Sequence, residues 1–275
     1  YGDADFTLSA TASSGLPITF SSSNTTVVSV TGSTATINNP GEALISATQA
    51  GNATYAPVTF DRHQLVNKIA ATVTLSDLSH EYTASGIAAS VTTAPVGLNV
   101  KTTYDGLTDL PIDLGTYAVL AEVEEPYYMG SGAGVLTITD STDPVPDLPV
   151  LADVTDECTA TPVAPTATDL YSGVIVGTTP TAFPITTQGT TVLTWTYDDG
   201  NGNTVTQTQN VIINDVSDPI PDLTPLADVT AQCEVSALTV PTATDNCSGV
   251  VTVTHDATLP ITGESTTVIT WTYDD

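Results

Sequence analysis

The side chains able to do chemistry are few in kind. Three cysteines (Cys158, Cys233, Cys247) and three histidines (His63, His80, His255) stand beside 31 aspartates and glutamates. The histidines are far apart, and no HExxH, GxSxG or phosphate-loop pattern accompanies them, so no enzyme is expected. A CxxC zinc spacing is absent. The carboxylates, by contrast, are ordered. Asp140, Asp143 and Asp147 recur 75 residues later as Asp215, Asp218 and Asp222, each set reading Asp-x-x-Asp-Pro-x-Pro-Asp. Proline fixes φ and stiffens an extended segment. Carboxylates crowded on such a segment repel unless a hard cation sits among them, and Ca²⁺ takes roughly six to eight oxygens. Asp169, Asp198 and Asp245, if they fold towards these segments, could complete a shell. Calcium is the one cofactor expected. The competing reading is that these aspartates cap turns and keep an acidic rod soluble.

Asp199-Gly200-Asn201-Gly202-Asn203 places oxygen ligands at every second position, as an EF-hand loop begins. Its sixth position is Thr204 and its twelfth Asn210, where glycine and glutamate are needed. Asp-Gly and Asn-Gly favour hairpin turns, so a turn is the better reading. Asp140-Ser141-Thr142 offers Ser141 as a weak candidate for O-glycosylation.

The elements that must position these residues are strands. The β-branched residues Thr and Val are abundant, 19 Gly and 18 Pro supply frequent turn signals, and no window keeps a 3.6-residue apolar period. The fold class expected is all-β, a tandem array of small sandwiches. The formal net charge is −28, with only 3 Lys plus Arg. Nucleic acid is excluded as a partner, because phosphate binding needs clustered cations. No apolar run approaches the roughly 18 residues that would suggest a membrane span, and no membrane insertion is expected.

The second half repeats itself. Leu151-Ala152-Asp153-Val154-Thr155 returns as Leu226-Ala227-Asp228-Val229-Thr230, and Pro165-Thr166-Ala167-Thr168-Asp169 as Pro241-Thr242-Ala243-Thr244-Asp245. Trp195-Thr196-Tyr197-Asp198-Asp199 returns as Trp271-Thr272-Tyr273-Asp274-Asp275. The first copy continues into a strand from Thr204 to Ile213, whereas the second stops at Asp275. Four domains are expected: 1–67, 68–140, 141–215 and 216–275, the last lacking its final strand. Candidate strands in the first are Asp5–Ala12, Pro17–Ser22, Val27–Thr31, Thr34–Asn38, Ala43–Gln49 and Val58–Val66. In the second they are Ala71–Leu75, Ala88–Thr93, Asn99–Tyr104, Gly115–Glu122 and Gly134–Ile138. Alternation puts Leu193, Trp195 and Tyr197 on one core-facing side. Gln207 and Gln209 share a face with Val205, Val211 and Ile213, so a bulge is expected in that strand. The chain begins at Tyr1 without a signal peptide and stops within a repeat, which reads as a segment of something longer.

Residues 143–275 resemble the HYR module, an Ig-like repeat of secreted and surface proteins. The resemblance rests on the Asp-Pro opening, a Cys after the first strand, Pro-Thr-Ala-Thr-Asp-Asn-Cys-Ser-Gly at 241–249, and the Trp-Thr-Tyr strand. Tyr1-Gly2-Asp3-Ala4-Asp5-Phe6, Ser14-Gly15-Leu16-Pro17 and Gln49-Ala50-Gly51-Asn52 resemble a bacterial Ig-like repeat. Ala71-Thr72-Val73-Thr74-Leu75, Gly115-Thr116-Tyr117 and Gly134-Val135-Leu136-Thr137-Ile138 resemble the MBG module. Such arrays are typical of giant surface adhesins, notably in Bacteroidota and including gliding adhesins of the SprB type. The resemblance implies secretion to the cell surface and a non-catalytic stalk role. It also implies that Cys233 pairs with Cys247, a bridge whose short loop would add about 3 kcal/mol, with two buried thiols as the alternative. Cys158 is then orphaned, since the matching position is Tyr171. Expected partners are neighbouring repeats, and surface glycans or other cell-surface proteins. Two other readings stay open. One is a carbohydrate- or protein-binding module, for which Tyr127 and Tyr128 are the clustered aromatics; these more readily close a hairpin over the second domain's core. The other is a filament subunit completed by strand donation.

Overall fold

The structure is a computed structural model in which every residue except Ser248, part of the 241–249 segment above, is described. It consists of strands and turns, with no helix among the described residues. It divides into two compact units, Tyr1–Asp140 and Ser141–Asp275.

In the first unit no sheet mixes residues 6–66 with residues 69–139. Phe6–Thr7, Thr34–Ile37 and Val28–Thr31 form one three-stranded sheet, and Thr19–Ser22, Gly41–Gln49 and Val58–Val66 another. Their inward residues Val27, Val28, Ala35, Ala43, Ile45 and Val66 make a small core. The expected strand Asp5–Ala12 shrinks to two residues: past Thr7 the Leu8 N–H still bonds the Ser33 carbonyl (2.7 Å), but the Ala12 carbonyl accepts from the Gly15 N–H (2.9 Å) in a turn. Further on, Val100–Tyr104, Gly115–Val123, Ser131–Thr139 and Ser79–Glu81 form a four-stranded sheet, and Thr72–Ser76 pairs with Ser90–Ala94. The core here is Ile87, Ala89, Tyr104, Val119, Leu136 and Ile138. Glycine lets Ser131–Thr139 approach Thr72–Ser76 closely: a Cβ at Gly132 would lie 2.8 Å from the Val73 carbonyl oxygen.

In the second unit the Asp-Pro segments are not linkers. Val145–Pro146 pairs antiparallel with Thr166–Asp169, which pairs with Gly173–Val176, and Pro144 is fully buried. Proline is tolerated there because the strand is an edge that needs few donors. Ile220–Pro221 pairs with Ala243–Thr244 in the same way. The opposing sheet of the first copy is Val154–Asp156, Thr204–Ile213 and Gly189–Asp198. Leu151, Ala160, Ile185, Leu193, Trp195, Val211 and Ile213 fill the space between.

The expected bulge does not form. Pairing runs in unbroken register from Gly189↔Ile213 to Asp198↔Thr204. The inward glutamines are accommodated by hydrogen bonds instead. Gln209 accepts from the Trp195 indole N–H (3.0 Å) and donates to the Ala152 carbonyl (2.9 Å). Gln207 accepts from the Tyr197 hydroxyl (2.8 Å) and donates to the Leu148 carbonyl (2.6 Å). Two polar residues on a core face thus satisfy two aromatic donors and tie the leading segment down.

Candidate functional site: the joint between the two acidic repeats

Two aspartate-capped turns meet within the second unit. The Asp156 carboxylate, at the end of Val154–Asp156, accepts from the backbone N–H groups of Cys158 (3.1 Å) and Thr159 (3.3 Å). Those donors hold its carboxyl below the ordinary value. In the second copy Asp245 accepts from the Cys247 N–H (2.8 Å). Aspartate favours such local turns because its short side chain reaches its own backbone two residues on. The turns present Glu157 and Cys158 to Asn246 and Cys247.

Cys158 and Cys247 are joined by a disulfide, with Cα atoms 4.8 Å apart and a sequence separation of 89. Beside it the Glu157 carboxylate accepts from the Asn246 side-chain amide (2.9 Å) and from the Ser217 hydroxyl (2.8 Å). The Gln188 amide donates to the Glu157 carbonyl (3.2 Å) and accepts from the Asp215 N–H (3.0 Å). One covalent bond and the two Glu157 hydrogen bonds therefore clamp copy to copy, and the two Gln188 bonds brace the first copy's side of the joint.

This corrects the implied pairing of Cys233 with Cys247. Cys233 is exposed and free, and Cys158 is not orphaned. The reason is the turn at Asp245, which fixes Cys247 opposite the Asp156 turn of the preceding copy. Cys158 and Cys233 hold the same place in the repeat, so the bridge runs from the first cysteine position of one copy to the second position of the next. The longer closed loop raises the chain-entropy contribution from about 3 to about 4.6 kcal/mol.

The expected carboxylates separate into groups. One oxygen each from Asp215, Asp245 and Asp275 lies within 4.8 Å of the others. Desolvation, then the charges of Asp245 and Asp275, push the Asp215 carboxyl up. Asp169 is buried beside Asp199. Asp140 is half-buried and closes the first unit, and Ser141 is exposed. Asp143, Asp147, Asp198, Asp218 and Asp222 are exposed and join no such group among the described residues. Asp147 is engaged otherwise: the hydroxyls of Thr166 and Thr168 donate to it and lower its pKa.

Asp199 is the residue the sequence reading missed, by one position. Asp198 points outward and accepts from the Gly200 N–H (2.9 Å), whereas Asp199 is buried. The alternation Leu193, Trp195, Tyr197 continues to Asp199 and would have selected it. The EF-hand-like start is a turn around this carboxylate. Asp199 Oδ1 accepts from the N–H groups of Asn201 (2.8 Å), Gly202 (3.1 Å) and Asn203 (3.0 Å), and Oδ2 from the Asn203 amide (2.6 Å). Burial pushes the Asp199 carboxyl up, but these donors together outweigh it and hold it low.

Of the clustered aromatics, Tyr127 is exposed and Tyr128 half-buried. Tyr127 stacks on Tyr1 with ring centroids 4.8 Å apart, and Tyr128–Met129 pairs in parallel with Ile69–Ala70. Tyr127 thus lies in the connection of the hairpin formed by Gly115–Val123 and Ser131–Thr139, closed by the Val123 N–H on the Gly130 carbonyl (2.9 Å), and meets there a residue from the far end of its unit. The histidines are engaged singly. His63 lies 3.7 Å from Glu42, His80 contacts the Asp77 carbonyl (2.9 Å), and His255 sits edge-on to Trp271.

No curated protein matches the chain. Solved structures similar to it include protocadherin gammaB7 EC3-6 in a cis-dimer structure, at 13% identity and a TM-score of 0.24, covering 87% of this chain and 80% of that one. Drosophila N-cadherin EC1-4 matches at 12% identity and a TM-score of 0.21, covering 92% and 82%. Sidekick-1 immunoglobulin domains 1-5 match at 11% and 0.25, covering 72% and 52%. At such TM-scores these superpositions carry no argument of their own, and the all-β repeat architecture rests on the pairings above. Residues 71–142 match the family model described as the MBG domain, over the stretch whose motifs resemble that module.

Proposed function

We propose that this chain is a non-catalytic spacer of a secreted cell-surface protein, four small β-sandwich repeats that hold a binding part away from the surface. The observation that carries this reading is the clamp between copies, a disulfide flanked by the Glu157 hydrogen bonds. A joint of this kind resists bending and extension, and a disulfide suits an oxidising compartment outside the cytosol. The MBG match and the resemblance of the flanking stretches to bacterial Ig-like and HYR repeats favour a surface adhesin of the Bacteroidota gliding type. The separate sheets of residues 6–66 and 69–139, and the repeat of 141–215 in 216–275, support the division into four.

Single-molecule stretching tests the mechanical role. The bridge takes the chain between Cys158 and Cys247 out of the load path. At roughly 3.3–3.6 Å per extended residue, reduction should lengthen the fully stretched chain by about 300 Å. Equal lengths before and after reduction would contradict the proposal.

A further inference from the structure

Asp169 and Asp199 are 5% and 8% exposed, and one carboxylate oxygen of each lies within 4.8 Å of the other. Turn formation occupies only part of this pair. Asp169 Oδ1 accepts from the N–H groups of Tyr171 and Ser172, both at 2.8 Å. Its Oδ2 is buried and has no hydrogen-bond partner. Buried charged oxygens are ordinarily satisfied, so an orphaned one on a carboxylate that neighbours a second carboxylate asks for a positive partner.

The unit that holds the pair has no Lys or Arg to supply that partner: the chain's three, Arg62, Lys68 and Lys101, all lie outside Ser141–Asp275. A cation from solution can supply the neutralising charge. Only oxygen is on offer, which suits a hard cation rather than zinc or copper. Calcium tolerates irregular oxygen shells completed by water, whereas magnesium demands near-octahedral geometry.

The arrangement is built twice. Asp169 and Asp199 recur 76 residues on as Asp245 and Asp275, and these two converge with Asp215. We infer that Asp169 and Asp199 bind a calcium ion, and that Asp245, Asp275 and Asp215 form the corresponding site of the following copy. This goes beyond the spacer reading and stands without it, since it needs only the folded chain.

The test is a calcium titration of the whole chain after chelator treatment, followed by calorimetry and by amide NMR shifts. Saturable binding is expected, with a Kd of about 10⁻³ M or tighter. The amide signals of Tyr171, Ser172 and Asn201–Asn203 should move with it. Asp169→Asn should weaken the binding that moves these signals by about tenfold or more, whereas Asp198→Asn, on the outward face, should not. No binding by millimolar calcium would overturn the inference, as would shifts confined to other residues or binding at this pair that Asp169→Asn leaves unchanged. The shift map on the native chain decides the question even if Asp169→Asn does not fold. Stretching behaviour is a separate readout, so failure of the calcium site and failure of the spacer role are distinguishable.

Discussion

Trp195 and Trp271 hold the same place in two copies of one repeat, but their surroundings differ. Trp195 is 2% exposed and Tyr197 fully buried, while Trp271 and Tyr273 remain half-buried. The first tryptophan lies on a strand hydrogen-bonded along its length to Thr204–Ile213, whose glutamines cap the indole and phenol. The second lies on Trp271–Asp274, which pairs with Thr252–His255 alone among the described strands. No hydrophobic residue from 216 onward is buried among the described residues. The motif Trp-Thr-Tyr therefore does not make a core by itself; the strand that follows it does. What holds the second copy in place is the joint, not an interior.

The largest effect is expected from Trp195→Ala, about 3–5 kcal/mol by urea melting, since it empties an enclosed site. Trp271→Ala should cost less than half as much. Equal losses would mean that the second copy has a core after all. Cys158→Ser should remove about 2–5 kcal/mol and split thermal unfolding into two transitions, the second copy melting first. Cys233→Ser should change nothing. Gln209→Ala should cost about 1–3 kcal/mol by leaving the buried Trp195 N–H unpartnered, without a counterpart effect in the second copy. Appending the sequence of residues 200–213 after Asp275 should raise the second copy's melting temperature and blue-shift Trp271 fluorescence.

The smallest effect is that of pH. The lowered pKa values of Asp147 and Asp156 mean that their stabilisation is present above the ordinary carboxylate range, near pH ~4, and is lost as pH falls through the lowered values. The raised pKa of Asp215 acts oppositely: its ionised form opposes folding, and acidification through the raised value relieves that. The second copy should therefore firm slightly between neutrality and about pH 4 before the whole unit weakens. Asp215→Asn should abolish that rise.

Much of the fold was legible because strand periodicity is a local signal. Val58–Val66 and Thr204–Ile213 run over the spans read from their residue types. The errors lie where a distant partner decides. The Asp-Pro segments looked like stiff linkers, since nothing local shows that Thr166–Asp169 will pair with them. Gln207 and Gln209 looked like a register fault, because the carbonyls of Leu148 and Ala152 that satisfy them lie almost 60 residues away. The cysteine pairing followed a resemblance that gave no sight of the neighbouring copy. Asp199 was legible in principle, being next on the Trp195 face, and was passed over for its exposed neighbour.

The bridge crosses between copies, and peptide mapping under non-reducing conditions shows this without unfolding assumptions. Residues 141–275 contain no Lys or Arg, so cleavage must be at aspartate or at aromatic residues. Free thiols are alkylated first. A linked pair of peptides carrying Cys158 and Cys247, with Cys233 alkylated, is expected. A linked pair carrying Cys233 and Cys247, with Cys158 alkylated, would contradict a bridge between copies.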